Sequence, residues 1–105
     1  MIDEATIARA VELLREAAPG SRVILFGSYA RGEADEDSDL EFLVIEPKVW
    51  ARREEMVRLR RVLRSLHIPV QILVASQKTF DEWADTPGTV LYEAAREGKI
   101  FDAVR

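Results

Sequence analysis

The chain has 105 residues, no cysteine and a net charge of −4 at neutral pH. This length fits a single domain over residues 1–105, and the lack of cysteine excludes disulfides and thiolate zinc sites. The acidic balance argues against nucleic-acid binding by the whole surface, and no apolar run reaches the roughly 20 residues that span a bilayer. The N-terminal stretch lacks the basic start and apolar core of a signal peptide, so a cytoplasmic protein without membrane contact is expected.

The first half of the chain predicts one helix and two strands. Apolar residues at helical spacing predict a helix over Glu4–Ala18, with Asp3 as its N-cap. The short apolar run Arg22–Phe26 predicts a buried strand that ends at Gly27. After a polar loop, Leu40–Ile45 predicts a second strand.

The second half continues the alternation of helices and strands. Residues Val49–Leu66 predict the longest helix, and Ile68–Ala75 predict a third strand. Ser76 is expected to cap a short helix, and the pair Thr86 and Pro87 is expected to open a last helix. This order predicts an α/β or α+β fold, in which a small mixed sheet of three or four strands carries helices mainly on one face.

Two acids stand in the second predicted strand, where apolar residues would be expected. Because side chains alternate along a strand, Asp39 and Glu41 share one face, opposite Leu40 and Phe42. Two like charges in adjacent same-face positions repel each other, and a divalent cation such as Mg²⁺ would compensate them. The alternative is a strand that starts at a wet sheet edge, where both acids are simply solvated.

The turn after the first strand has features of a phosphate site. Gly27 would let the backbone approach a phosphate closely, and Ser28 would add a hydroxyl donor. Arg31 could offer a cation, and Gly32 permits the chain to turn back. Alone, a Gly-Ser pair is only a strand-to-helix turn. Together with the acid pair, it predicts a site that holds phosphates at one end and their metal at the other.

The stretch GSYARGEADEDSDLEFLV resembles the G-S-x-x-x-G and S-D-x-D signature of the DNA polymerase β-like nucleotidyltransferases. The whole chain is similar to their minimal form, often called MNT, which is commonly encoded beside a HEPN-domain toxin. The resemblance extends to the terminal stretch PGTVLYEAAREGKIFD. It implies a polymerase β-like nucleotidyltransferase fold and the antitoxin role of a HEPN–MNT pair.

The resemblance also implies roles for individual residues. Gly27 and Ser28, with Arg31 as a weaker candidate, would hold the phosphates of an NTP, while Asp39 and Glu41 would be the catalytic acids that bind Mg²⁺. The implied reaction is metal-dependent transfer of a nucleotidyl group, AMP from ATP, to a hydroxyl on the HEPN-domain partner. A small-molecule acceptor is less expected, because no additional domain is available to wall its pocket.

The chain departs from the family signature at two acidic positions. Glu41 stands where the signature has Asp, and Gln71 stands on the third strand where a third acid is expected. Glu keeps the charge on a longer side chain, whereas Gln offers a neutral oxygen and no base. We therefore also expect a second outcome, in which the protein binds Mg–NTP but transfers slowly, or neutralises its partner by binding alone.

The helix predicted over residues 49–66 is rich in arginine. It carries six of the fifteen basic residues of the chain: Arg52, Arg53, Arg58, Arg60, Arg61 and Arg64. One interpretation is a solvated face paired with Glu54 and Glu55, and the other is a surface for an acidic partner or nucleic acid. A small sheet also leaves apolar surface to cover, so a partner or self-association is expected.

Overall fold

The computed structural model describes residues 1–101, and residues 102–105 lie outside the described part of the chain, although the predicted domain and the terminal stretch of the family resemblance extend into them. Helices and strands alternate as predicted through most of the chain. In chain order the elements are α1 (Glu4–Ala17), β1 (Arg22–Phe26), α2 (Ser28–Arg31), β2 (Leu40–Glu46), α3 (Arg52–Val62), a 3₁₀ turn (Arg64–Leu66), β3 (Val70–Ser76), α4 (Gln77–Trp83), α5 (Val90–Glu97) and β4 (Lys99–Phe101).

Side-chain caps fix three helix starts. The Asp3 carboxylate accepts a hydrogen bond from the Thr6 N–H at 2.8 Å, and the Ser76 hydroxyl accepts one from the Thr79 N–H at 3.1 Å, so both predicted caps are confirmed. The predicted start of the last helix at Thr86 and Pro87 is wrong. Thr89 caps that helix instead, by accepting from the Tyr92 N–H at 3.1 Å.

The arginine-rich helix is shorter than its apolar pattern predicts. Helix α3 begins at Arg52 rather than at Val49, because the backbone of Ala51, at φ −138° and ψ 88°, is outside the helical region. At the other end, the N–H of Leu63 donates to the carbonyl oxygens of Arg60 and Arg61, and the helix tightens into the 3₁₀ turn. The last turn of the predicted helix is therefore a separate 3₁₀ element.

The sheet has four strands in the order β3-β2-β1-β4. Strand β1 is antiparallel to both β2 and β4, whereas β2 and β3 are parallel, so the predicted small mixed sheet is confirmed. The edge strand β4 was not predicted individually. Gly98 precedes it, and a Cβ at that position would clash with the Ile24 side chain and the Ala94 carbonyl oxygen. Helix α5 therefore passes very close to β1.

Helices cover both faces of the sheet to different extents. The longer helices α1 and α3 pack on one face, where the larger core cluster includes Leu14, Phe42 and Leu59. The short helices α4 and α5 lie on the other face, over a smaller cluster that includes Phe26 and Ala94. No helix within residues 1–101 is long and apolar enough to cross a membrane.

Candidate nucleotide and metal site

The turn between β1 and α2 depends on a glycine. Gly27 is buried and has φ 78° and ψ −156°, a backbone conformation that is essentially restricted to glycine. Helix α2 runs from Ser28 to Arg31 and is capped by Gly32, which is left-handed at φ 75° and ψ 24°. Because the first N–H groups of a helix have no acceptor within the helix, this turn presents backbone donors beside the Ser28 hydroxyl.

The carboxylate of Glu41 lies directly against Gly27. Strands β1 and β2 pair so that Phe26 is opposite Glu41. This register places Glu41 beside the turn that begins at Gly27. A Cβ added to Gly27 would overlap the carboxylate group of Glu41. The structure thus brings together the turn and one of the two predicted acids, and the longer Glu side chain occupies the space that glycine leaves open.

Asp39 lies at the end of an ordered loop that leads into β2. The Ser38 hydroxyl accepts from the Asp35 N–H at 2.9 Å and donates to the Asp35 carboxylate at 3.1 Å. The Asp37 N–H donates to the same carboxylate at 2.9 Å. Asp39 follows immediately and is exposed, and Leu40 begins the strand. This network fixes the loop that holds Asp39, although the Asp39 side chain itself faces solvent.

The surroundings of Glu41 disfavour the negative charge of its carboxylate. Partial burial raises the pKa of Glu41, and the negative charges of Glu93 and Asp39 raise it further. The Arg31 guanidinium opposes these effects and lowers the pKa. A divalent cation beside Asp39 and Glu41 would remove the same repulsion that raises this pKa.

Arg31 is held among carboxylates in the described structure. Its guanidinium lies 2.9 Å from the Glu33 carboxylate, 3.3 Å from that of Glu97 and 3.4 Å from that of Glu93. An incoming phosphate would have to compete with these acids. The role of Arg31 in nucleotide binding therefore stays a prediction, with a clear alternative role in fixing α5 beside α2.

Glu93 is a residue that the sequence analysis missed. It lies on α5, far along the chain from the acid pair, yet its charge acts on Glu41 and it pairs with Arg31. No spacing in the sequence relates Glu93 to Asp39 or Glu41. Only the close packing of α5 on β1 at Gly98 brings this acid to the site.

Gln71 occupies the position where the third acid was expected. Strands β2 and β3 run parallel with Glu41 opposite Gln71, and the side chain of Gln71 is exposed on the same face as Glu41. In the part of the chain that the structure describes, no group of three Asp, Glu or His side chains could hold a metal ion. Mg²⁺ commonly uses one or two carboxylates together with substrate phosphates and water, so Asp39 and Glu41 fit a metal that arrives with a nucleotide.

A comparison with protein families identifies the family of this chain. A model described as a nucleotidyltransferase domain matches residues 7–97. The chain belongs to this nucleotidyltransferase family. The match covers the turn at Gly27, both acids and the Gln71 position, so the predicted family membership is confirmed.

Relatives of this nucleotidyltransferase domain include one curated protein and several solved structures. A protein from Methanocaldococcus jannaschii, provisionally named a protein adenylyltransferase, is 35% identical over 54 residues, which are 51% of this chain and 54% of that protein. The match thus spans about half the length of that relative. A chain in the crystal structure of a toxin–antitoxin with AMP-PNP has a TM-score of 0.64 at 22% identity, covering 94% of this chain and 72% of that chain.

A second similar structure contains a HEPN toxin. It is a tri-AMPylated Shewanella oneidensis HEPN toxin in complex with an MNT antitoxin, and the matched chain has a TM-score of 0.59 at 18% identity. The match covers 94% of this chain and 71% of that chain. At these identities both structures support the predicted fold, which is confirmed.

Proposed function

We propose that this nucleotidyltransferase domain binds Mg–ATP where β1 ends and β2 begins, and transfers AMP to a hydroxyl on a partner protein. One observation carries the proposal: the Glu41 carboxylate lies against Gly27. A candidate metal ligand is therefore adjacent to the turn that would bind the phosphates. Gly27 and Ser28 would hold the phosphates, while Asp39 and Glu41 would hold Mg²⁺, which neutralises developing charge on the phosphates.

The proposed transfer requires little covalent chemistry from the protein. The acceptor oxygen forms a bond to the α-phosphorus, the bond from that phosphorus to the bridging oxygen breaks, and pyrophosphate leaves. The hydroxyl proton passes to a base or to solvent. The contribution of the chain is positioning, because β1 and β2 hold the turn and Glu41 in a fixed register.

The proposed partner is a HEPN-domain toxin, for which this protein would be the antitoxin. The adenylyltransferase name of the archaeal relative and the HEPN toxin with its MNT antitoxin among the similar structures support this choice. The partner and the AMP transfer are proposals for this chain, since the relative is matched over half its length and the structures share the fold.

A second candidate function is supported by Gln71. Its register opposite Glu41 leaves a neutral amide where a carboxylate would hold a second metal and help to activate the acceptor. In this alternative the protein binds Mg–NTP without efficient transfer, or it neutralises the partner by forming a complex. Asp81 and Glu82 do not replace the missing acid, because they lie on α4 beyond the end of β3.

A transfer assay separates the two candidates. The protein is incubated with ATP labelled on its α-phosphate, Mg²⁺ and a purified HEPN-domain toxin. The proposal predicts label on the partner that is lost with Asp39→Ala and retained with Asp37→Ala, an exposed acid of the same loop. Stable complex formation without label would support the sequestering alternative, and neither label nor complex would refute both.

A further inference from the structure

Three arginines near the end of α3 have no partner within the described residues. Arg60, Arg61 and Arg64 are exposed, and no hydrogen bond or ion pair engages their guanidinium groups among residues 1–101. Of the arginines earlier on the helix, Arg52 and Arg58 differ. Arg52 donates to the Val74 carbonyl oxygen, and Arg58 pairs with Glu55. The expected pairing with Glu54 and Glu55 is therefore seen for Arg58, through Glu55, but not for these three exposed arginines.

The three arginines surround a cavity of about 580 Å³. His67 joins them on its rim, and apolar side chains that include Leu63, Ile68 and Val70 line the rest. No Asp or Glu lines the cavity within the described part of the chain. We call Arg60, Arg61, Arg64 and His67 the basic rim. A positively charged rim over an apolar floor favours a ligand that carries both negative charge and apolar groups.

The basic rim lies at the same end of the sheet as the acid pair. The cavity contains Pro69, whose carbonyl oxygen accepts from the Leu40 N–H at 3.0 Å. Leu40 directly follows Asp39, and Gln71 is opposite Glu41 in the same strand pair. Because α3 covers the opposite face from Glu41, the two sites are neighbours around one sheet end. A bound chain on the basic rim would pass close to the proposed transfer site.

An acidic polypeptide fits this surface better than a nucleic acid. No Phe, Tyr or Trp side chain lines the cavity within the described residues, whereas proteins that bind single strands commonly stack bases on such residues. The remainder of the molecule is acidic, with a net charge of −4 for the whole chain, and would repel an extended phosphate backbone. A short acidic segment carries its charge locally and can insert an apolar side chain into the floor.

We propose that the basic rim is the docking site for an acidic segment of the partner protein, which holds the acceptor hydroxyl at the start of β2. This assignment rests on the proposed function for the identity of the partner. The two sites have separate roles: the basic rim binds the partner chain, and the acid pair binds the nucleotide. Loss of one function should therefore leave the other intact.

Fluorescence anisotropy tests the proposal with defined probes. The probes are a labelled peptide rich in glutamate with interspersed leucines, the same peptide with glutamine for glutamate, and a labelled single-stranded RNA. Arg60→Glu and Arg64→Glu alter the rim, and Arg9→Glu is the matched control. Arg9 is exposed on α1 and pairs with Glu12, and its substitution changes the net charge by the same amount.

The proposal predicts that only the glutamate peptide binds, and that each rim variant weakens its binding by about tenfold while Arg9→Glu retains it. Tighter binding of RNA than of the peptide, an equal loss with Arg9→Glu, or no binding of the peptide would overturn it. A titration with Mg–ATP on the same variants separates the two proposals. The rim variants should bind Mg–ATP as the wild type does, whereas a wild type that binds peptide but no nucleotide would refute the proposed function alone.

Discussion

The acid pair and the basic rim carry unbalanced charge on different supports. Glu41 stands on a strand, partly buried against Gly27, with a pKa raised by burial and neighbouring acids. The arginines of the rim stand on a helix and a 3₁₀ turn, exposed on long flexible side chains. The difference indicates the ligand of each region. Fixed carboxylates suit a small cation with strict geometry, whereas mobile guanidinium groups suit an anionic surface of variable shape.

Gly27→Ala is expected to have the largest effect on the acidic region, which comprises Asp39 and Glu41 with the turn at Gly27. The backbone of Gly27 is in a region that only glycine adopts readily, and the new Cβ would displace the Glu41 carboxylate. We expect a loss of about 1–3 kcal/mol in the free energy of unfolding, together with loss of Mg–ATP binding. Urea unfolding and calorimetric titration measure the two effects.

Gly32→Ala is the matched control for this substitution. Gly32 also has a positive φ, but it is left-handed and a Cβ there would meet nothing within 4 Å. This variant should lose about 1–2 kcal/mol of stability and still bind Mg–ATP. Equal loss of nucleotide binding in both variants would show that the contact between Gly27 and Glu41 is not what organises the site.

Gln71→Asp introduces the third acid that the family signature has at this position. The substitution adds a negative charge to the acid pair and so increases its contrast with the basic rim. The new carboxylate would stand opposite Glu41 in the register of β2 and β3. If transfer is limited by the missing acid, the rate of AMP transfer should rise by about tenfold or more. Gln71→Asn is the control, because Asn has the same shape as Asp but carries no charge. A wild-type rate equal to that of Gln71→Asp would show that the neutral residue is fully tolerated.

The far end of β2 shows how the same protein compensates acids without a metal. Burial raises the pKa of Glu46 to about 7, and the adjacent Glu55 contributes in the same direction, while Arg58 opposes it. One oxygen of Glu46, Oε2, is buried without a hydrogen-bond partner within residues 1–101. There a proton and Arg58 balance the pair, whereas at the Glu41 end the opposing cation is Arg31, which is shared with other acids that include Glu93 and Glu97.

This pair predicts a pH dependence of stability with a defined sign. Since the pKa of Glu46 is raised, the folded state holds its proton more tightly than the unfolded state, whose value is 4.5. Its contribution to stability is complete below that value and is lost as the pH rises through about 7. Glu46→Gln should therefore flatten the decline in this window. Urea unfolding at a series of pH values measures it, and an unchanged slope in the variant would contradict the assignment to Glu46.

The smallest expected effects concern the pKa of Glu41 itself. Glu93→Gln should lower this pKa, because it removes a negative charge, and Arg31→Gln should raise it, because it removes the compensating cation. Titration of the side-chain carboxyl carbon by NMR measures both shifts. Glu12→Gln, an exposed substitution on α1, is the control and should leave the value unchanged. Shifts of the same sign in both variants would exclude the proposed arrangement around Glu41.

The proximity of Gly27 and Glu41 could be predicted from the sequence because these residues are close along the chain. Gly27, Ser28, Asp39 and Glu41 lie on adjacent strands and their connecting loop, where strand alternation determines which side chains share a face. The caps at Asp3 and Ser76 were predictable for the same reason, since each acts on a backbone group three residues away.

Features that depend on tertiary packing could not be predicted. Glu93 reaches Glu41 only because α5 crosses β1 at Gly98, and no local pattern encodes that contact. The start of α5 was misplaced because Thr86 and Thr89 are both cap residues by type, and in the structure the Thr89 hydroxyl makes the capping hydrogen bond. Similarly, the division of the α3 arginines into paired and unpaired groups depends on which of them reach Val74, Ala17 or Glu55.

The most direct test of the account is a calorimetric titration of Mg–ATP into the wild type, Asp39→Ala and Asp37→Ala. Both acids are exposed in the same loop, but only Asp39 belongs to the proposed metal site. The account predicts Mg²⁺-dependent binding to the wild type and to Asp37→Ala, and a loss of at least about tenfold in affinity with Asp39→Ala. Equal affinity in all three proteins, or no binding to the wild type, would contradict it.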